Sequence, residues 1–374
     1  MTQRARTLIE AGYLVLLAAI VAVPIAGVVQ WFNAALTFAY SLDYNEGIVW
    51  KQMTEIVAGR GYAPIDGFPA IVFHYPPVFH LAVAALAQTG LDPLVAERVV
   101  SLASTAGSAL IVGDLARRLL LESRRLTAGT AVIAAIVVTL LYEAVHTWAP
   151  QMRVDAIACF FALAGLWCVT KSDQRPALVY LAADLFTLSV FSKQVSIVAA
   201  AASFGALLLL RQRRAVPAIA VTVLLGLAGL GVLAWLTQGE ALRHLFLHNI
   251  NRLDMAQLFP NFEASLSSDE PLLLAGAIGY SVVLVDAWRK HRRGSAPDLP
   301  SVTMVLFMRI ATLSLVMSAK SGSSTSYCMQ WDAGMAVFGA VGVASLVQAA
   351  SRQLANGLPL RAPGWAAIPL ALAS

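Results

Sequence analysis

Two carboxylates, Asp43 and Glu46, stand three residues apart in Leu42-Asp-Tyr-Asn-Glu-Gly47, directly after a long apolar run. Three residues is close to one helical turn, so both side chains can point into one cavity. A helix starting here would favour their ionised forms through its positive end. The chemistry such a pair offers is general-base removal of a proton from an incoming hydroxyl, alone or with a divalent metal. The same spacing also suits an Asp N-cap with Glu at the third helical position, a purely structural capping pair. The residues alone leave both readings open.

Further along, His74 and Tyr75 precede two prolines in Phe73-His-Tyr-Pro-Pro77. Arg153-Val-Asp155 opens one apolar run, and Lys193-Gln194 separates two others. Lys320-Ser-Gly-Ser-Ser-Thr-Ser-Tyr327 joins two more, with hydroxyls and glycine around a single lysine. Each piece alone also fits a snorkelling cation, an aromatic-belt tyrosine or a flexible loop. Taken together they place Arg153, Lys193, Lys320 and His74 at one depth, opposite the carboxylates. A lipid-linked phosphate at a membrane interface needs that environment. Tyr75, Asp155 and Tyr327 are the expected companions on the substrate side.

The elements that must hold these residues are membrane helices. The chain is 59% hydrophobic and 13% charged, with mean hydropathy +0.72, where a soluble domain has about a quarter of its residues charged. The excess apolar surface has to face lipid. A net charge of +5 could signal a nucleic-acid binder, but the basic residues come in short clusters between apolar runs, the pattern of topology signals rather than of a DNA-binding face. Apolar runs at 10–38, 95–116, 126–145, 155–170, 177–192, 195–210, 216–236, 271–288, 301–318 and 332–350 read as spans. A last run opens near Trp365 and reaches Ser374. The first run lacks a small-residue cleavage site and reads as a retained span. The fold class is therefore all-α integral membrane: a polytopic bundle of about 10–11 transmembrane helices, organised as a single membrane domain over residues 1–374. No internal repeat or low-complexity tract is evident.

Val78–Gln88 is too short to cross a bilayer. With that run non-spanning and the N-terminus cytoplasmic, 17 of the 26 Lys and Arg fall inside, 8 outside, and Arg309 within a span. Counting it as a span would invert the clusters. The outer side then holds three polar segments, 41–77, 237–271 and 319–331. In the first, Val49, Met53, Ile56 and Val57 oppose Lys51, Gln52, Thr54 and Glu55 at helical spacing, as in a helix lying along the interface and ended by Gly59-Arg-Gly61. Cys159 and Cys168 are too far apart along one helix for a disulfide. Asp184 and Arg309 are charges inside apolar runs, costly unless they face the bundle interior, where they could pair with each other as structure; Asp184, near mid-helix, is the stronger candidate for a functional role.

In order and sidedness these pieces resemble the membrane glycosyltransferases of the GT-C fold, most closely the protein-mannosyltransferase-like and aminoarabinose-transferase-like group that uses polyprenyl-phosphate sugars. The resemblance rests on Asp43-Tyr-Asn-Glu46-Gly47, Gly61-Tyr62, Tyr75-Pro-Pro77, Arg98, Arg153-Val-Asp155, Lys193-Gln194, and Lys320-Ser-Gly-Ser with Tyr327. It implies that Asp43 is the catalytic base and Glu46 its acidic neighbour. It implies that Arg153, Lys193 and Lys320 gather around the donor phosphate, and that Asp155 is a second acidic position. Many members have adjacent Asp-Glu where Asn45 precedes Glu46 here, which leaves open which carboxylate is the base. The activity implied is inverting transfer of a hexosyl or pentosyl group from a polyprenyl-phosphate donor to a glycan, lipid or protein acceptor, on the extracytoplasmic face of the inner or plasma membrane. The resemblance assigns no residue to the acceptor and leaves metal use open.

A polytopic transporter or lipid flippase is the main competing reading. Transporters tend to show repeated halves and polar sites near the midplane, whereas here the polar residues gather at one surface. A non-catalytic assembly subunit would tolerate loss of the carboxylates.

Overall fold

The computed structural model describes residues 3–68, 70–120, 125–256, 258–260, 263, 270–320 and 323–355. The elements are α1 (Gln3–Thr37), α2 (Tyr44–Val57), α3 (Val78–Ala87), α4 (Pro93–Arg118), α5 (Arg125–Leu141), α6 (Glu143–Trp148), α7 (Val154–Lys171), α8 (Leu178–Ser192), α9 (Val198–Leu209), α10 (Ala215–Leu236), the short α11 (Glu240–Leu242) that continues as a π-turn over Arg243–Leu247, α12 (Glu270–Arg292), α13 (Leu299–Ser314) and α14 (Met329–Ala355). Two 3₁₀ turns, Leu315–Ala319 and Thr325–Cys328, link the last two.

Ten of these helices coincide with the ten expected spans. Seven stretches are long and apolar enough to cross a membrane; α5, α8 and α9 are apolar but shorter, lengths that local thinning of the bilayer accommodates. The chain is a multi-pass membrane protein. Helix α1 lies almost wholly exposed along the outside of the bundle. At the centre are α7, with most of its length buried, and the first half of α14. The apolar run near Trp365 lies outside the described residues.

Two features set the packing. Helices α12 and α14 cross so closely that a Cβ on Gly279 would overlap the Phe338 carbonyl, and one on Gly342 the Ala275 carbonyl. Small residues bring membrane helices into backbone contact because van der Waals packing, rather than water exclusion, joins them in lipid. Asp92 caps α4 by accepting from the Leu94 amide at 2.9 Å, and Asp298 caps α13 by accepting from Ser301 at 2.9 Å. Proline follows each cap at a position that lacks an intrahelical partner for its nitrogen.

Helices α2 and α3 do not cross the bundle. They pack on each other and over the ends of α4 and α7, through Val49, Met53, Phe79, Val83, Ala96, Met152 and Val154. The amphipathic expectation for α2 holds at Val49 and Met53, but Val57 is exposed. On the expected polar face, Gln52 and Glu55 turn inward. Gln52 donates to the Val72 carbonyl at 2.8 Å, and Glu55 is held between Lys51 and Arg60, both at 2.6 Å. A polar residue on an amphipathic helix need not face water when a loop supplies its partners. Gly59, at φ 71°, follows the Ala58 cap and turns the chain out of α2.

The pairing of Asp184 with Arg309 is not formed. Arg309 donates to the Tyr280 hydroxyl at 2.9 Å, and Asp184 lies on the exposed face of α8. The reason is topological: α8 packs on α7 and α10, whereas α13 packs on α9 and α14. All three cysteines are buried.

Candidate active site

The site is built at the helix ends where α2, α7, α8 and the turn before α14 meet. Asp43 is the N-cap of α2, with extended backbone angles. One of its oxygens accepts from the Asn45 amide at 3.3 Å and the other from the Asn45 side chain at 2.9 Å. The second oxygen also faces Arg153, the residue capping α7, at 3.3 Å. Arg153 stacks 4.1 Å over the Trp148 ring, and its Nε is buried with no hydrogen-bond partner among the described residues. Burial would raise the Asp43 carboxyl, but the Asn45 hydrogen bonds and the Arg153 guanidinium outweigh it and hold the group below the usual carboxylate range.

In the first turn of α7, Asp155 accepts from Lys193, the residue that ends α8. The Lys193 ammonium also sits 3.9 Å over the Tyr327 ring. Burial alone would lower Lys193; the adjacent Asp155 carboxylate overrides it and keeps the lysine above its ordinary value. Lys320 follows the first 3₁₀ turn and pairs as an isolated antiparallel bridge with Leu253. Its ammonium donates to the Asn249 side-chain oxygen, at 3.3 Å. Burial and then the nearby Lys193 charge push Lys320 down. Two lysines that repel each other across a cavity make it a place that favours an anion.

Between these groups lies a cavity of about 230 Å³ lined by Arg153, Asp155, Lys193, Lys320, His74, Tyr75 and Tyr327, together with the amides Asn45, Gln52, Gln194, Asn249 and Asn251. The chain segment carrying His74 is held by its carbonyl, which accepts from Gln194 at 2.8 Å and Asn249 at 3.1 Å. Burial, then Lys320 and His244, depress the His74 imidazole below its ordinary value, so it is neutral near pH 7. Burial raises the Tyr75 phenol. A smaller cavity of about 50 Å³ shares Asp155, Lys193 and Tyr327 and continues toward Met317, Met329 and Gln330.

Of the nine residues singled out from sequence, Arg153, Asp155, Lys193, Lys320, His74, Tyr75 and Tyr327 line the cavity. Asp43 stands at its rim, in contact with Arg153 and Asn45. Glu46 is elsewhere. It is fully buried and accepts from Arg98 at 3.1 and 3.2 Å, from the Met152 amide at 3.0 Å, and from the Leu42 amide. Arg98 spends its remaining donors on the carbonyls of Ala35, Phe38 and Tyr40. This pair ties the end of α1, the start of α2, the start of α4 and the residue before Arg153 into one knot, and leaves Glu46 no free oxygen facing the cavity. As for a divalent metal, no three His, Cys, Asp or Glu side chains converge among the described residues, and the carboxylates at the site face cations. That donor set does not suit a metal.

Four amides of the lining, Asn249, Asn251, Gln52 and Asn45, carried no sign of their role in the sequence. Asn249-Ile-Asn251 sits in the second outer segment, where polarity is the only local signal, and Gln52 lies on the wrong face of the expected amphipathic helix.

No protein-family model matches the sequence, and no curated protein is similar to it at the sequence level. Solved structures do match. ArnT from Cupriavidus metallidurans bound to undecaprenyl phosphate superposes with TM-score 0.60 and 13% identity, over 91% of this chain and 62% of that one. The fold is that of the GT-C membrane glycosyltransferases. Archaeal oligosaccharyltransferase AglB from Archaeoglobus fulgidus, solved with an inhibitory peptide and a dolichol-phosphate, matches with TM-score 0.51 and 12% identity, over 93% of this chain and 54% of that one. The chain thus spans about three fifths of the length of ArnT and about half that of AglB, and at these identities the likeness is one of fold.

Proposed function

We propose that this GT-C-fold chain is a membrane glycosyltransferase that moves a sugar from a polyprenyl-phosphate donor to an acceptor hydroxyl, with inversion, on the extracytoplasmic face. The observation that carries the proposal is the cavity where Arg153, Lys193 and Lys320 converge at one end of the helix bundle. A phosphate whose lipid tail lies in the membrane would sit there with its head among three cations. ArnT, of the same fold, is solved bound to undecaprenyl phosphate.

Sidedness is supported by the opposite end of the bundle, which carries Arg117, Arg118, Lys171, Arg211, Arg213, Arg214 and Lys290 at helix termini. Such clusters favour the cytoplasm, which supports an extracytoplasmic cavity.

In the mechanism, Asp43 accepts the acceptor's proton as that oxygen attacks the anomeric carbon. The bond from the anomeric carbon to the phosphate oxygen breaks, and its electron pair stays on the departing polyprenyl phosphate. Lys320, Arg153 and Lys193 stabilise the charge that develops there, more strongly than they would in water. Asp155 positions Lys193, Arg153 positions Asp43, and Glu46 with Arg98 holds α2 against α4. Asp184 and Arg309, which would have favoured a transport path, lie on the exposed outside of the bundle rather than within it.

The test is to incubate purified protein with radiolabelled polyprenyl-phosphate sugars and follow release of the sugar from the lipid. Turnover that disappears in Asp43→Asn while membrane insertion persists is expected. Full turnover by that variant refutes the base assignment, and no turnover of any such donor by the wild type refutes the function.

A further inference from the structure

We infer that the sugar carried by the donor is electrically neutral, a plain pentose or hexose rather than an aminosugar or a uronic acid. The inference rests on the proposed function and names the substrate class of the same cavity.

The charges at the cavity nearly cancel. Arg153 faces Asp43 at 3.3 Å. Lys193 is bound to Asp155. Lys320 meets the uncharged Asn249 amide and is the one cation at the cavity left without a carboxylate among the described residues. His74 adds no charge near neutral pH, because burial and Lys320 keep it unprotonated. The surplus is therefore a single positive charge, and a sugar phosphodiester carries a single negative one. Donor and cavity balance when the sugar contributes nothing.

What remains of the lining suits hydroxyls. The lining amides are uncharged donors and acceptors: Gln52 is bonded to Val72 and His80, Asn249 to His74 and Lys320, and Asn45 donates to Asp43. The Gln194 side-chain oxygen is buried without a hydrogen-bond partner among the described residues, while its nitrogen is fixed on the His74 carbonyl. It is an oriented acceptor for a donor such as a sugar O–H. An ammonium on the sugar would have to take its carboxylate away from a cation already facing it, Asp43 from Arg153 or Asp155 from Lys193. A uronate would need a second free cation. Burying either charge without a partner is unfavourable.

The experiment compares four ligands of one lipid length on the full-length protein in nanodiscs. They are polyprenyl phosphate without sugar, the neutral pentose donor, an analogue with one sugar hydroxyl replaced by an amine, and the uronic acid analogue. The neutral donor is expected to bind at least about tenfold more tightly than either charged analogue. Equal or tighter binding of the amino or uronic donor overturns the inference while leaving the lipid-phosphate site standing. Failure of all four, the sugar-free lipid included, removes the lipid-phosphate reading itself and the inference with it. A Gln194→Glu variant adds a carboxylate beside the amides and is expected to shift the neutral-to-amino preference about tenfold toward the amino donor. An unchanged ratio in that variant contradicts the placement of the sugar against Gln194.

Discussion

Two carboxylate–arginine pairs begin three residues apart at the start of α2, and their surroundings are opposite. Glu46 and Arg98 are both 0% exposed, and every donor and acceptor between them is engaged. Asp43 and Arg153 are 22% and 14% exposed, meet at a longer 3.3 Å, and leave the Arg153 Nε without a partner among the described residues. Acid and base are the same chemical types in both. A saturated, dry pair is a fixed clasp, because any rearrangement would strand a charge in a low-dielectric interior. An unsaturated pair at a cavity rim can exchange partners with a substrate. Surroundings thus separate a carboxylate that positions from one that can react, which spacing alone could not do.

Breaking the clasp should produce the largest effect. Glu46→Leu or Arg98→Met alone strands the opposite charge and is expected to cost about 3–5 kcal/mol, read as a collapse of the thermal unfolding midpoint in detergent. The double substitution should recover much of that loss. A single variant as stable as the wild type would mean that the clasp is not structural.

The other pair should behave in reverse. Asp43→Asn keeps the hydrogen bonds of a short polar cap and is expected to leave the unfolding midpoint nearly unchanged, while sugar transfer falls about 10²–10⁴-fold. Large destabilisation with retained turnover would exchange the roles assigned to the two acids.

Lys320 extends the contrast to cations. Unlike Lys193, it has no carboxylate partner among the described residues, so Lys320→Met should weaken polyprenyl-phosphate binding by about 1.5–3 kcal/mol, the range for a hydrogen bond to a charged group. Titration of purified protein with the lipid phosphate would show this as a higher Kd. An equal loss in Asp155→Asn would indicate that Lys193, once freed, cannot hold its place.

The smallest effect is in pH dependence. Asp43 is held below the ordinary carboxylate range, so it stays ionised further into acid than a free carboxyl. The stability it contributes with Arg153 is present above that ordinary range and is lost as pH falls through the depressed value. The stability difference between wild type and Asp43→Asn should therefore be constant from neutral pH to about pH 4 and vary only below it. A difference that already changes well above pH 4 would contradict this assignment.

Much of this was legible in the sequence, and the rest was hidden for physical reasons. The spans were readable because a bilayer demands long apolar runs. The cations were readable because a Lys or Arg that closes an apolar run must sit near the level of the headgroups. Glu46 was not separable from Asp43, since its partner Arg98 lies 52 residues away and nothing local announces the contact. Asn249 was invisible for a similar reason: an amide in a polar loop carries no signal until the bridge between Leu253 and Lys320 brings that loop to the cavity. Asp184 and Arg309 misled because a charge in an apolar run suggests the interior, and only packing shows which face of the helix it occupies.

Whether the cation-lined cavity holds the donor phosphate is decided most directly by a structure of the protein in a lipid nanodisc with polyprenyl phosphate bound. Phosphate density is expected within hydrogen-bond distance of the Lys320 ammonium and beside Arg153, with the lipid tail leaving toward the membrane. Density at the opposite end of the bundle, beside Arg117 and Arg214, or a phosphate that leaves the Lys320 cavity empty, would contradict the assignment.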